Sequence, residues 1–209
     1  MSSRDEILAR LRAAQQPAPP TPIRQSSRQF DDLAARFTQA LTAAKGEVHR
    51  ANDWAAALQT LDALLTEVGA KRGVVNAEPP LDSLDWRGRW PGVAWHVVGQ
   101  AEGELRAWNE SAEIGVSAAQ AALAETGTLI VSSGPGRSRL ATLTPAAHVV
   151  LLPIHRLTRD LFTWTAGRNG EWPANVTLIS GPSKSADIEQ TLIVGMHGPQ
   201  RLIVILYPA

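Results

Sequence analysis

Cysteine is absent from all 209 residues, and that absence removes disulfides, thiolate nucleophiles, thiolate zinc sites and cysteine-ligated iron–sulfur clusters from this chain's chemistry. Any redox role must use electrons carried by a partner or a diffusible cofactor, and no bound cofactor is expected. Excess charge is absent too. The 20 basic residues balance 20 acidic ones, so the whole-molecule field gives little capture of nucleic acid or anionic membrane. No apolar run approaches the roughly 20 residues of a membrane-spanning helix. Met1 to Arg10 are charged rather than signal-like, so no membrane span is expected and the chain reads as cytoplasmic. The catalytic signatures G-x-G-x-x-G, G-K-[ST], H-E-x-x-H and G-x-S-x-G are all missing. The five histidines are dispersed, and no metal site is expected.

What is present has the balance of a folded α/β protein, with 44% hydrophobic and 19% charged residues. Residues 1–29 read as an arm. Ser3 and Glu6 have capping-box spacing ahead of Ile7, Leu8 and Leu11, and Pro17, Pro19, Pro20 and Pro22 then mark an extended linker. Such a helix suits packing on its own domain or docking on a neighbouring subunit equally, so a homo-oligomer stays open. Residues 30–209 read as one α/β domain. Helical periodicity is expected from Phe30 to Gly46 and, capped by Asn52, from Trp54 to Gly69. Strands are expected near Gly73–Val75, Val93–Val98, Ile114–Ser117, Ala147–Leu152, Val176–Ile179 and Leu202–Leu206. Helical turns are expected at Ala118–Ala124, Leu157–Trp164 and Ala186–Val194. This alternation predicts a layered, mostly parallel sheet.

Two strand-and-glycine stretches stand out as site candidates, Glu125 to Arg137 and Val176 to Glu189. In a parallel sheet both would place polar groups at strand C-terminal ends, where binding crevices form. Glu125, ahead of an apolar strand, suits either acid–base work or the holding of turn amides. Thr126 and Thr128 flank Gly127, which permits close backbone approach. Ser133, Gly134 and Arg137 form either an anion-steering loop or a plain turn. Ser180, Gly181, Ser183, Lys184 and Ser185 make a candidate anion cradle if a helix follows. Asp187 and Glu189 serve there as a catalytic candidate and a ligand candidate, or simply as helix-capping carboxylates. His148 inside an apolar strand reads as a core histidine, and His197, beside Gly198, is the one histidine drawn toward the site.

Ala124-Glu125-Thr126-Gly127-Thr128, the Ser132 to Arg137 loop, the Ser180 to Glu189 block and His197-Gly198-Pro199 closely resemble the LUD-domain family of lactate-utilisation C proteins. The resemblance spans roughly Phe30 to Tyr207. Lys184 and Ser185 depart from it, standing where members often have Arg and Thr. What it implies is a fold like that of the sugar-phosphate isomerase, glucosamine-phosphate deaminase and CoA-transferase superfamily. It also implies a role in bacterial oxidation of L-lactate to pyruvate, beside partner subunits that carry the iron–sulfur clusters, with a small anionic metabolite as ligand. A non-catalytic assembly or regulatory subunit, and a stand-alone isomerase or acyl-transfer enzyme, are the alternatives.

Overall fold

The run Ala147–Pro153 is apolar apart from His148, and every residue in it is buried. A strand with no polar face belongs inside a sheet that is covered on both sides, and the fold is built around it. The computed structural model describes residues 3–14, 26–101, 104–168, 172–186, 192–195 and 197–208. In chain order they form α1 (Ser3–Ala14), α2 (Leu33–Ala43), β1 (Glu47–Arg50), α3 (Trp54–Val68), β2 (Arg72–Val75), α4 (Trp86–Arg89), β3 (Ala94–Val97), α5 (Leu105–Ser111) and β4 (Ile114–Ala118). Then come β5 (Ala121–Leu123), β6 (Thr128–Ser133), α6 (Leu140–Leu143), β7 (Ala147–Pro153), β8 (Leu157–Thr158), α7 (Leu161–Ala166), β9 (Asn175–Ile179), β10 (Lys184–Ala186), β11 (Leu192–Val194) and β12 (Arg201–Tyr207). Residues 15–25, most of the proline-rich linker, lie outside the described residues.

The main sheet has six strands in the order β1-β12-β7-β4-β2-β3, with every pairing parallel. Side chains alternate across it. Ile203 and Ile205 of β12, Val149 and Leu151 of β7, and Ile114 and Val116 of β4 meet α3 and the Trp86–Trp90–Trp95 cluster, whose ring centroids are 4.7–6.0 Å apart. Leu202, Val204, Leu206, Val150 and Leu152 face the other way, onto Phe37 and Leu41 of α2 and a second sheet. That second sheet runs β8-β5-β6-β9, with β6 antiparallel to both of its neighbours.

Three helical expectations fail for identifiable reasons. Ala121–Leu123 is a strand, because Ala122 packs on the main core while Ala121 and Leu123 pack on the opposite side with Ile130. Burial on two faces is a period of two, and it overrides the helix preference of alanine. The segment from Leu157 splits because Asp160 takes an extended conformation and accepts a bond from Thr163 N at 2.7 Å, starting α7 four residues late. The helix expected over 186–194 is replaced at both ends by strand, with Lys184, Ser185 and Ala186 paired antiparallel to Val194, Ile193 and Leu192. The cap of α3 is Asp53 rather than Asn52, and β1 is a strand that the sequence reading did not anticipate. Among the described residues, no helix is long and apolar enough to cross a membrane.

Candidate functional site

The antiparallel pairing of β6 with β9 determines which candidate residues meet. Leu129 stands opposite Ile179 and Ser133 opposite Asn175, so the start of β6 adjoins the end of β9. The expected single crevice is therefore divided. Thr128 and Ser180 come together at one end, while Ser133, Gly134 and Arg137 lie at the other, roughly 17 Å away along the strand.

At the first end the conspicuous residues act on one another and on α2. Thr126 Oγ1 and Thr128 Oγ1 are 2.6 Å apart, and Thr128 Oγ1 is 2.7 Å from Ser180 Oγ, a hydroxyl chain that ties β6 to β9. Gly127 lies against the α2 backbone. Glu125 forms an ion pair with Arg28, its carbonyl accepts a bond from Arg36 Nη2 at 2.8 Å, and its N–H donates to the Arg159 carbonyl at 3.0 Å. Gly181, at φ 141°, passes close under the Ala44 carbonyl, and Lys184 Nζ donates to that same oxygen. Ser183 N–H bonds to the Pro199 carbonyl at 2.8 Å beside exposed His197. Ser185 sits in the β10–β11 pair.

Among the described residues the expected anion cradle is flanked by strand rather than helix, and its cation sits on the C-terminal end of α2, where a positive charge complements the helix dipole. Asp187 and Glu189 lie outside the described residues. Lys184→Ala should accordingly cost about 0.5–1 kcal/mol of stability in urea denaturation and leave anion binding unchanged; weakened binding would restore the cradle.

Arg137 leads to a different place. The chain leaves β2 toward β3 and leaves β4 toward β7, so the loops part between the carboxyl ends of β2 and β4, which is the topological switch point where open parallel sheets bind ligands. Glu78, three residues beyond β2, spans that gap. Its Oε1 accepts a bond from Ala118 N–H at the end of β4 at 3.1 Å, and Asn76 Nδ2 lies 3.5 Å away. Asn76 Oδ1 in turn accepts from Ser138 N–H at 2.9 Å, and Ala77 N–H donates to the Gly136 carbonyl at 2.8 Å, which fastens the Ser133–Arg137 loop beside the carboxylate. A Cβ on Gly134 would lie 2.7 Å from Arg137 Nη2, so glycine there lets the guanidinium fold back over the turn. From the end of β7, Arg156 reaches across and donates to the carbonyls of Ala119 at 2.7 Å and Pro79 at 3.3 Å.

These groups line a cleft of about 370 Å³ formed by Glu78, Gln120, Arg137, Arg156, Trp164 and Arg168. Burial pushes the Glu78 carboxyl above the ordinary glutamate value, against the Ala118 amide, Arg137, Asn76 and Arg156, which hold it down. Gln120 Oε1 is buried without a partner among the described residues. The arrangement can take a small anion on its arginines and hold or release a proton beside it. Arg137 is the one sequence candidate that reaches this cleft; Glu78, Gln120 and Arg156 were missed. Glu78 had one signal, a carboxylate just past the end of a parallel strand.

A model of the LUD domain matches residues 34–207. A lactate utilization protein C from Halalkalibacterium halodurans is 34% identical over 157 residues, covering 71% of this chain and 67% of that protein. One from Exiguobacterium sp. is 44% identical over 101 residues, covering 46% and 44%, and one from Bacillus subtilis is 33% identical over 103 residues, covering 46% and 43%. The matches span about two thirds of the first relative and less than half of the other two. The crystal structure of a DUF162 family protein from Deinococcus radiodurans superposes with a TM-score of 0.55 at 19% identity, over 84% of this chain and 96% of that one, and so shares the fold. With the family model covering nearly all of the α/β domain, the chain belongs to the LUD-domain family, in which it is similar to the lactate utilization C proteins.

Proposed function

We propose that this chain is the small-carboxylate-binding subunit of a bacterial L-lactate utilisation system, with the Glu78–Arg137–Arg156 cleft as its site. The observation that carries the reading is the meeting of one half-buried carboxylate of raised pKa with two guanidinium-bearing loops at the switch point of the sheet. The names of the relatives supply the substrate class. A 2-hydroxy acid would set its carboxylate on Arg137 and Arg156, whose planar forks match that group. Glu78 would then face the hydroxyl, accepting its hydrogen bond when ionised and donating to the 2-oxo product when protonated. Electrons would leave through iron–sulfur partners, as the family resemblance implies, and a chain without cysteine agrees with that division of labour. Glu125 has no part in this reading: its carboxylate pairs with Arg28, and it is not among the residues that line the cleft.

Calorimetry with L-lactate and pyruvate tests it. Arg137→Ala should weaken binding at least about tenfold, roughly the 1.4 kcal/mol of one charge-assisted contact. Glu78→Gln should retain pyruvate binding and abolish its dependence on pH. Equal affinities in wild type and Arg137→Ala would sink the assignment, as would a wild-type protein that takes up neither ligand at millimolar concentration.

A further inference from the structure

A second cleft, of about 380 Å³, opens beside β3, which pairs with β2 and forms one edge of the main sheet. Arg87 from α4, Trp95 and His96 from β3, Gln100 and Ala101 from the loop that follows, and Trp108 from α5 line it. None of the six is acidic. Arg87 and Gln100 are exposed, and they also border a smaller hollow of about 160 Å³ whose other walls include Leu84, Trp86 and Val97. The two polar heads therefore stand between two recesses whose walls mix indole and aliphatic surface with polar groups. Asp85, the acidic residue in that second hollow, accepts a bond from Gly88 N–H at 2.9 Å as the cap of α4.

The walls are fixed in place. Trp108 Nε1–H donates to the Gly73 carbonyl at 3.0 Å, the Arg72 guanidinium lies 4.4 Å from the centre of its indole, and His96 packs against that indole at 5.5 Å. Trp95 is buried, and its Nε1–H has no partner among the described residues. Burial, aided by Arg87, holds His96 below the ordinary histidine value, so that ring stays neutral and spares the Arg87 guanidinium a competing cation. An accessible guanidinium and a carboxamide N–H, set beside indole and aliphatic walls with no carboxylate among the described residues that line the main cleft, select for an oxyanion attached to an apolar body.

We propose that this β3-edge cleft is a second ligand site, binding a small carboxylate with an apolar body, its oxygens on Arg87 and Gln100 and its body against the Trp108 side of the cleft. The site is separate from the Glu78 cleft, although the two share a boundary: a Cβ on Gly99 would lie 3.6 Å from Gly136, which places the loop after β3 against the turn that carries Arg137. Benzoate is a suitable probe, with inorganic phosphate as the anion that lacks an apolar body.

The experiment is calorimetric titration of the full chain carrying Arg137→Ala and Arg156→Ala, which removes both of the first cleft's carboxylate contacts and so separates the two proposals. Benzoate should still bind, and adding Arg87→Ala should weaken it at least tenfold, with Gln100→Ala giving a smaller loss. Both side chains are exposed, so neither change should move the thermal midpoint. Phosphate should bind more weakly than benzoate. No benzoate binding in the protein carrying Arg137→Ala and Arg156→Ala, an isotherm indifferent to Arg87→Ala, or phosphate binding as tight as benzoate would each overturn the site, whatever L-lactate does at Glu78.

Discussion

Between pH 6.5 and pH 5 the folded protein should lose about 2 kcal/mol of stability through His148 alone. This histidine is fully buried in β7 and its pKa is pushed down to about 3 by burial, so it stays neutral in the fold. Unfolding exposes it to water, where it takes up a proton below about pH 6.5. In that window the unfolded chain binds more protons, and stability therefore rises with pH and falls as acid is added. The contribution is complete above pH 6.5 and is lost progressively toward and through pH 3, for a total of about 5 kcal/mol.

Geometry explains why the native state tolerates the ring only when neutral. His148 Nε2 and Ser117 Oγ are 2.8 Å apart, and Nδ1 has no partner among the described residues. A bare ring nitrogen costs less to bury than an unpaired N–H. The cheaper tautomer therefore donates from Nε2 to Ser117 and leaves Nδ1 as an unused lone pair. Protonation would turn that lone pair into a buried charged donor with nothing to receive it. His148→Gln, which can keep a bond to Ser117 without titrating, should flatten the acid limb of a series of urea denaturations at pH 8, 6 and 5 by about one proton. Glu78 tilts the curve the other way. Its raised pKa means that acid relieves a partly desolvated negative charge, so the His148 effect should be measured in a Glu78→Gln background as well. An acid limb unchanged by His148→Gln in both backgrounds would contradict a histidine buried neutral.

The strands around His148 were the legible part of the chain. The residues of β7 and β12 read as apolar runs because both faces of the sheet are covered, and a run of that kind has few other homes. The motif residues Glu125 to Thr128 and Ser180 to Lys184 were equally visible, but their work was not. A hydroxyl chain joining two strands and a lysine on a helix end use the same residue types as a binding site, and only the antiparallel register separates the two roles. The Glu78 cleft was hidden for a complementary reason. Asn76, Ala118, Arg137 and Arg156 are scattered over 81 positions and meet only because β2 lies beside β4 in the sheet order, a relation that no local spacing encodes. Ala121–Leu123 makes the same point at the level of single residues, since alanine favours a helix until neighbours bury it on both sides.

Gly127→Ala should be among the most destabilising single-methyl additions to the motif, at about 3 kcal/mol, while leaving ligand affinity untouched in the protein that remains folded. Two costs combine there. Gly127 has φ 65°, and a left-handed conformation costs an alanine roughly 1 kcal/mol. The added Cβ would also strike the α2 backbone at Leu41 N, lying 2.6 Å from Leu41 Cα and 2.8 Å from Ala40 C. Helix backbone cannot turn aside as a side chain can. To relieve the clash α2 must move outward, drawing Phe37 and Leu41, both 0% exposed, from the core, and overpacking of this kind costs about 1–3 kcal/mol. Gly69 provides the control. It has the same φ of 65°, but a Cβ there meets nothing within 4 Å, so Gly69→Ala bears only the conformational cost of about 1 kcal/mol. The gap between the two variants in urea denaturation isolates the α2 contact. If Gly127→Ala proved no more costly than Gly69→Ala, and instead altered lactate or pyruvate binding, the glycine of the motif would belong to a ligand and the division of the site drawn from the β6–β9 register would fail.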